Sequence, residues 1–395
     1  MATGSEIERD LTHSGQHLRA AWRAVLPDTV RTRLLQACLL DAEAAADAWD
    51  QFEKLSGGAR SYFEQDFGGL KGMLPYVAYG LEQNQVAASS GFMTYARVAL
   101  VREGLRSRIY YEILAEVIRL LPSVGVDYML LKGAAIGRWL YPTPDVRHNH
   151  AIDLLIAASD VAKVQRALAG AGFTPSTHAH EFTHNSGLPV RLHTELVRHP
   201  CQSASRDCCR ELVSRDLDRD HSRANAFSPA LLLHQTLGNA AFSDSNRNLR
   251  WVVDAVLLIR HTTIDWKRVI ELGRDAGLWE FYLEVLAYLF ENFDVALPSG
   301  LSARTHGARH PHRYRILLAS LLTVLGSHRR VWHTLGHSAA LRLRFSVYAV
   351  LPPVDYLRWR YGLESAYQIL AWHAWRPFRI VLRLAGAPVA GARAA

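Results

Sequence analysis

Cysteine is scarce in this chain, and so is lysine. Four cysteines (Cys38, Cys201, Cys208 and Cys209) in 395 residues cannot form the dense disulfide framework of a small secreted domain. A reducing cytoplasm is therefore the expected compartment. No apolar run reaches the roughly 18 residues that a membrane span needs. The opening ten residues are polar and acidic, without the basic and then apolar order of a secretory signal. No Gly-x-Gly-x-x-Gly follows a strand-like run, which argues against a dinucleotide fold. The nucleophile elbow of a Ser-His-Asp hydrolase is also missing. Internal repeats and low-complexity tracts are absent.

Hydrophobic residues make up 49% and charged residues 21%, a globular balance with ample material for a core. Basic charge is concentrated at one end. Residues 301–395 contain fourteen arginines, no lysine and only Asp355 and Glu364 as acids, a net of +12, while the whole chain carries +8. Such a region suits an acidic partner, a nucleic acid or a membrane surface. The plainer reading is a set of solvated helix faces in an arginine-rich composition with five lysines in all.

Periodicity divides the chain. Residues 1–25 read as a lead-in, and from Val30 to about Leu121 the signal is helical. Its clearest stripe, Leu105, Ile109, Ile113, Leu114, Val117, Ile118 and Leu121, has the three-and-four spacing of a buried helix face. The texture changes after Gly125. Tyr128–Leu131 reads as a buried strand, 134–140 as a short helix and 151–156 as a second strand. Residues 159–169 read as a helix capped by Ser159, and 173–186 and 189–197 as further strands joined at Ser186-Gly187. After Arg206 helical texture resumes, over 229–242, 248–261, 265–276 and 279–292, with more helix over 311–385. The expected fold is α+β and predominantly helical. A small mixed sheet over 126–205 is flanked by helical regions at 1–125, 206–300 and 301–395.

Three short stretches carry the chemistry. Lys132-Gly133 sits where a strand turns into a helix. Glycine lets a backbone approach a phosphate, the helix N-terminus offers free N–H groups, and the lysine adds a charge. Gly69-Leu70-Lys71-Gly72 has the same letters but no β-rich sequence after it. Second, Asp153 interrupts an apolar strand and shares a face with Ala151 and Leu155. A buried charge needs a metal or a partner, and an arginine could be that partner. Third, Arg191, His193 and Glu195 share one face of the strand 189–197.

Together these stretches resemble the bacterial family of uncharacterised nucleotidyltransferases within the DNA-polymerase-β-like superfamily. The resemblance rests on Leu130-Leu131-Lys132-Gly133, Tyr141-Pro142, Arg147, Ile152-Asp153-Leu154-Leu155-Ile156 and Leu192-His193. It continues through His234, Asn248 to Ala255, Ile264-Asp265-Trp266 and Leu351-Pro352-Pro353, spanning about residues 30–380. It implies transfer of a nucleoside monophosphate from an NTP to an acceptor, a small molecule, peptide or protein. Two Mg²⁺ ions held by acids on neighbouring strands would stabilise the attacking and leaving oxygens. It also implies that Lys132, Gly133, Arg147, Arg191, His193, Arg250 and Asp254 frame the nucleotide, with Asp153 as metal ligand. Arg250 and Asp254, one helical turn apart, could pair with each other.

The chain departs from that pattern at its centre. Ala151 stands where the first acid belongs, His150 replaces a glycine, and Arg191 stands where the third acid belongs. Asp153 alone remains. Arg191 is expected to pair with Asp153 and take over the volume and charge of a metal. Alternatively, Glu195 supplies a displaced second carboxylate, catalysis then resting on Asp153 and Glu195. Three functions follow as expectations: an impaired nucleotidyltransferase using Mg²⁺, a pseudoenzyme that binds nucleotide or partner without turnover, and a basic helical scaffold acting through its C-terminal region.

Other candidates rank below these. His178, His180, His184, His193 and His199 with Cys201, Cys208 and Cys209 are dense but lack the paired spacing of zinc ligands, as do the histidines between 306 and 337. The aromatic and arginine mixture from Tyr356 to Trp375 fits a membrane or nucleic-acid surface, or a helix face in a core.

Overall fold

The computed structural model describes residues 26–66, 69–176, 180–194, 212–216, 223–242, 249–275, 279–296, 298, 354 and 365–384. The described residues open with five α-helices: α1 (Thr29–Leu39), α2 (Ala42–Ser56), α3 (Ala59–Glu64), α4 (Leu74–Gln83) and the long α5 (Ser90–Ser123). Local signals set their ends. The Asp28 side chain accepts from the backbone N–H of Arg31 at 2.9 Å and opens α1. Ser89 does the same for α5 through Phe92 N–H at 3.3 Å. Gly57, at φ +72°, takes the left-handed turn that closes α2. Trp49, Phe52, Phe63 and Phe92 are buried against one another at the centre of this layer.

The α/β part follows: β1 (Tyr128–Leu131), α6 (Lys132–Leu140), β2 (Ile152–Ile156), α7 (Val161–Gly170), β3 (Thr174–Pro175), β4 (Glu181–Thr183), β5 (Pro189–His193), β6 (Leu212–Asp216) and β7 (Arg223–Phe227). The seven strands form one mixed sheet in the order β3-β4-β5-β2-β1-β7-β6. Every residue of β1 and β2 is buried, so the middle of the sheet is covered on both faces. Helices α8 (Pro229–Phe242), α9 (Arg250–His261), α10 (Trp266–Asp275) and α11 (Trp279–Phe293) come next, and α12 (Ala366–Leu384) lies near the C-terminus. The fold is α+β and predominantly helical. No helix among the described residues is long and apolar enough to cross a membrane.

Four expectations need correction. The stripe read as one buried face of α5 divides: Ile113, Leu114, Val117, Ile118 and Leu121 are buried, whereas Leu105 and Ile109 are exposed. Over that half the inward face is polar because it meets the backbone of segment 144–151. Ser107 donates to Pro144 O at 3.2 Å and Tyr110 to Ala151 O at 3.3 Å. Ser159 does not cap α7; it lies in the 3₁₀ turn 158–160, and Asp160 occupies the N-cap position without a side-chain bond. The strands read over 173–186 and 189–197 are the shorter β3, β4 and β5, the last two joined by a turn at Gly187 (φ +82°). Finally, β6 and β7 lie where helical texture was expected to resume. Arg223-Ala-Asn-Ala-Phe has no strong alternation, and its place beside β1 comes from tertiary pairing. Of the helix expected over 311–385, only α12 and its immediate surroundings fall within the described residues.

Candidate functional site

The register of the sheet brings the site together. Leu131 is paired with Asp153 across the antiparallel β1–β2 ladder, so Lys132 leaves the sheet beside that carboxylate. Parallel pairing of β2 with β5 places Arg191 level with Asp153 and His193 level with Leu155. Lys132 turns the chain with φ +50°, a left-handed conformation uncommon for a residue with a side chain. Its backbone N–H donates to Gln235 Oε1 at 3.0 Å, which ties the turn to α8. Gly133 follows in a space that no side chain could share. A Cβ there would lie 2.1 Å from Asn149 Oδ1 and 2.3 Å from an Arg147 nitrogen.

Asp153 is buried, and its Oδ1 accepts two bonds: from Lys132 Nζ at 2.8 Å and from His193 Nε2 at 2.6 Å. Burial alone would raise its pKa. The Lys132 charge and the His193 hydrogen bond outweigh that and hold the carboxyl well below the usual range. Because an ionised carboxylate only accepts, His193 carries a proton on Nε2.

A second buried carboxylate, Asp254 on α9, lies across the cleft. Arg147 clasps it with both edges of the guanidinium, Nε to Oδ1 at 2.9 Å and Nη2 to Oδ2 at 2.8 Å. The Tyr141 hydroxyl donates to Oδ1 at 2.6 Å. Arg147 also bonds Asn149 Oδ1. Burial would lower the Arg147 pKa, but Asp254 outweighs it and keeps the guanidinium firmly charged.

Segment 147–151 bridges the two carboxylates. His148 Nδ1 lies 2.5 Å from Glu103 Oε2 on α5. Arg250 donates to His148 O at 2.7 Å and to His150 Nε2 at 2.6 Å. Desolvation within the cleft, followed by the Arg250 charge, lowers the pKa of the exposed His150 to about 3, so this imidazole is a neutral acceptor. Burial and the neighbouring Arg147 charge likewise bring Arg250 down to about 10.

These groups line a cleft of about 260 Å³. Lys132, Gly133, Arg147, Asp153, Arg191, Arg250 and Asp254 all face it. His193 reaches it through Asp153, while Glu195 lies outside the described residues. Two expected pairs are not formed. Arg191 bonds Glu181 Oε2 at 2.6 Å, not Asp153. It stands between two acids in register, Asp153 on β2 and Glu181 on β4, and the former already holds Lys132 and His193. Arg250 does not take Asp254, whose oxygens are engaged by Arg147 and Tyr141; it turns to the 148–150 segment instead.

Sequence reasoning missed Gln235, Asn149, Glu103 and Glu181. Gln235 had the only visible signal, a polar pair with His234 inside the apolar run Leu231–Leu237. Its Nε2 and the Nδ2 of Asn149 are buried donors without a partner among the described residues. Gly72 of the look-alike motif is not beside the sheet turn; a Cβ on it would touch the His148 ring at 3.1 Å. Of the histidine and cysteine patch, His178, His199, Cys201, Cys208 and Cys209 lie outside the described residues. Among those described, no three His, Cys, Asp or Glu side chains gather as a metal site.

The cleft thus sets a lysine-glycine turn, paired amide donors and a ring of cations around two satisfied carboxylates. No curated protein and no solved structure matches the chain. A family model described as uncharacterised nucleotidyltransferase matches residues 70–294, which takes in the sheet, the cleft and the helices that close it. The chain belongs to the uncharacterised nucleotidyltransferase family.

Proposed function

We propose that this family member binds the phosphates of a nucleoside triphosphate through its own cations, and that transfer of the nucleoside monophosphate is impaired or lost. One observation carries the reading. Asp153 is the sole carboxylate at the three positions where the family resemblance calls for acids, and its Oδ1 already accepts from Lys132 and His193. The other two positions hold Ala151 and Arg191. A pair of Mg²⁺ ions needs several carboxylate oxygens to hold and neutralise it. An alanine offers none and an arginine repels the ion, so the described side chains do not fit that centre.

They fit an anion. Lys132, half-exposed, can swing from Asp153 to a phosphate oxygen while His193 keeps the carboxylate satisfied. Gly133 lets Asn149 and Arg147 close against the turn beside Lys132, which keeps their polar groups at the cleft. Gln235 Nε2 and Asn149 Nδ2 are donors waiting for an acceptor. Arg147 and Arg250 add positive potential at the other end, where the first is fixed by Asp254 and the second by His150. In this reading Arg191 contributes charge at the rim, and the protein serves as a nucleotide- or partner-binding accessory.

The competing reading is slow transfer with Mg²⁺, an NTP as substrate, and Glu195 supplying a second carboxylate. Thermal melts with each of the four NTPs, run beside a pyrophosphate assay, separate the two. The proposal expects stabilisation by an NTP with or without Mg²⁺, lost in Lys132→Ala, and no pyrophosphate. Mg²⁺-dependent pyrophosphate release that disappears in Asp153→Asn and Glu195→Gln would sink it and establish transfer. No NTP effect, with salt-sensitive polyanion binding, would leave the scaffold reading.

A further inference from the structure

Phosphate binding leaves one pair of titratable groups at the cleft without a role. Glu103, buried on the inward side of α5, accepts from His148 Nδ1 at 2.5 Å. An ionised carboxylate only accepts, so the Nδ1 proton stays on the imidazole and the lone pair of the neutral ring lies on Nε2. That second nitrogen makes no hydrogen bond among the described residues, and it is not closed off from solvent. His148 lines the cleft together with Lys132, Asn149 and Arg250. The residue is held in place from three directions. Glu103 takes Nδ1, Arg250 donates to the backbone carbonyl at 2.7 Å, and a Cβ on Gly72 would lie 3.1 Å from the ring. The other two imidazoles at the site are engaged through Nε2: His150 accepts from Arg250, and His193 donates to Asp153.

We propose that His148, positioned by Glu103, is the general base of a metal-independent hydrolysis of the nucleoside triphosphate held in this cleft. The inference rests on the nucleotide-binding reading and adds water as the acceptor. A carboxylate–imidazole pair with its far nitrogen open to a substrate site is the arrangement that takes a proton from an attacking hydroxyl or water. Cations and donors line the cleft, so the phosphate chain enters end first and its terminal phosphorus is the one reached. The water oxygen bonds to that phosphorus while a water proton passes to His148 Nε2. The bond from the phosphorus to the bridging oxygen breaks, which leaves orthophosphate and a nucleoside diphosphate. The imidazolium then returns its proton to solvent. Glu103 keeps the ring in the correct tautomer and stabilises the imidazolium as it forms. Lys132 and Arg250, on the same cleft, offset the charge that develops on the phosphate oxygens.

The test is orthophosphate release from each of the four NTPs by the full-length protein in EDTA, with nucleotide binding followed by thermal melts of the same samples. The expected result is slow orthophosphate release without pyrophosphate, reduced about a hundredfold or more in His148→Asn. His148→Gln serves as the second variant should the first fail to fold. Glu103→Gln should lower kcat and leave KM unchanged, and Glu103→Asp should recover part of the loss, a split that a merely structural pair would not produce. NTP stabilisation without orthophosphate, release that requires Mg²⁺, or release that survives both histidine substitutions would overturn the inference while leaving nucleotide binding intact. Absence of any NTP stabilisation would instead sink the binding reading, and this inference with it.

Discussion

Two aspartates are buried in one cleft, and they are held in opposite ways. Asp254 is clasped by a buried, bidentate arginine and a buried tyrosine, both anchored within the protein. Asp153 is held by Lys132, which is half-exposed, and by His193. The first arrangement has no group free to leave, so Asp254 belongs to the framework that fixes segment 147–151. In the second, the lysine can exchange its carboxylate for an anion that enters from solvent. On the proposed reading, the contrast separates a structural charge pair from a working one, although both look alike as acids in a sequence.

The largest expected effect comes from breaking the framework end. Asp254→Ala strands the Arg147 guanidinium without a counter-charge and should cost about 3–5 kcal/mol in chemical denaturation. Asp153→Asn keeps an acceptor for His193 and frees Lys132 toward water, so its loss should be about 1–2 kcal/mol. Equal losses for the two variants would erase the distinction.

Gly133→Ala tests the turn between the two ends. Its Cβ would collide with Asn149 and Arg147, and the resulting overpacking should cost about 1–3 kcal/mol. NTP-induced stabilisation should vanish with it. A variant that binds NTP as the parent does would show that close backbone approach at this turn plays no part.

Acid titration sharpens the comparison further. Desolvation and then the Arg250 charge hold the exposed His150 down to about 3, and burial holds His234 down to about 4. Both stay neutral in the fold while the unfolded chain takes up protons below the ordinary 6.5. Their contribution is therefore complete above about pH 6.5 and is lost as pH falls toward 4 and 3. Asp153, depressed as well, adds its loss only below the ordinary carboxylate range of about 3.8. Stability measured by denaturant should begin to fall near pH 6.5, and His150→Asn should flatten the slope between pH 6 and 4 (about one proton's worth). A flat profile down to pH 4 would contradict neutral imidazoles at His150 and His234.

The smallest effect is expected at Arg191. Its pair with Glu181 is partly exposed, so Arg191→Ala should change stability by less than about 1 kcal/mol. A loss comparable to that of Asp254→Ala would mean that Arg191 is a buried counter-charge after all.

Much of this was legible in the sequence, and the limits have physical reasons. Strands β1 and β2 are short apolar runs, the first set between Gly125 and Gly133, and Lys132 at the end of β1 and Asp153 near the start of β2 stand out as charges. What periodicity cannot give is the choice of partner. Arg191 lies between two acids once β4 and β5 pair, and only that pairing reveals Glu181 as its partner. Arg250 and Asp254 have the spacing of a helical ion pair, yet Arg147, about a hundred residues earlier, wins Asp254 because it arrives with two parallel bonds. Helix α5 misleads for a related reason. Its inner face over 103–110 is polar because it packs against the backbone of 144–151, so Leu105 and Ile109 are left outside.

The account turns on whether Asp153 is bound by the protein's own cations or by a divalent metal. A Mn²⁺ titration followed by electron paramagnetic resonance reads this directly, in the parent and in Asp153→Asn. The account predicts the same weak, nonspecific uptake in both proteins. A tight Mn²⁺ site in the parent that disappears in Asp153→Asn would contradict it.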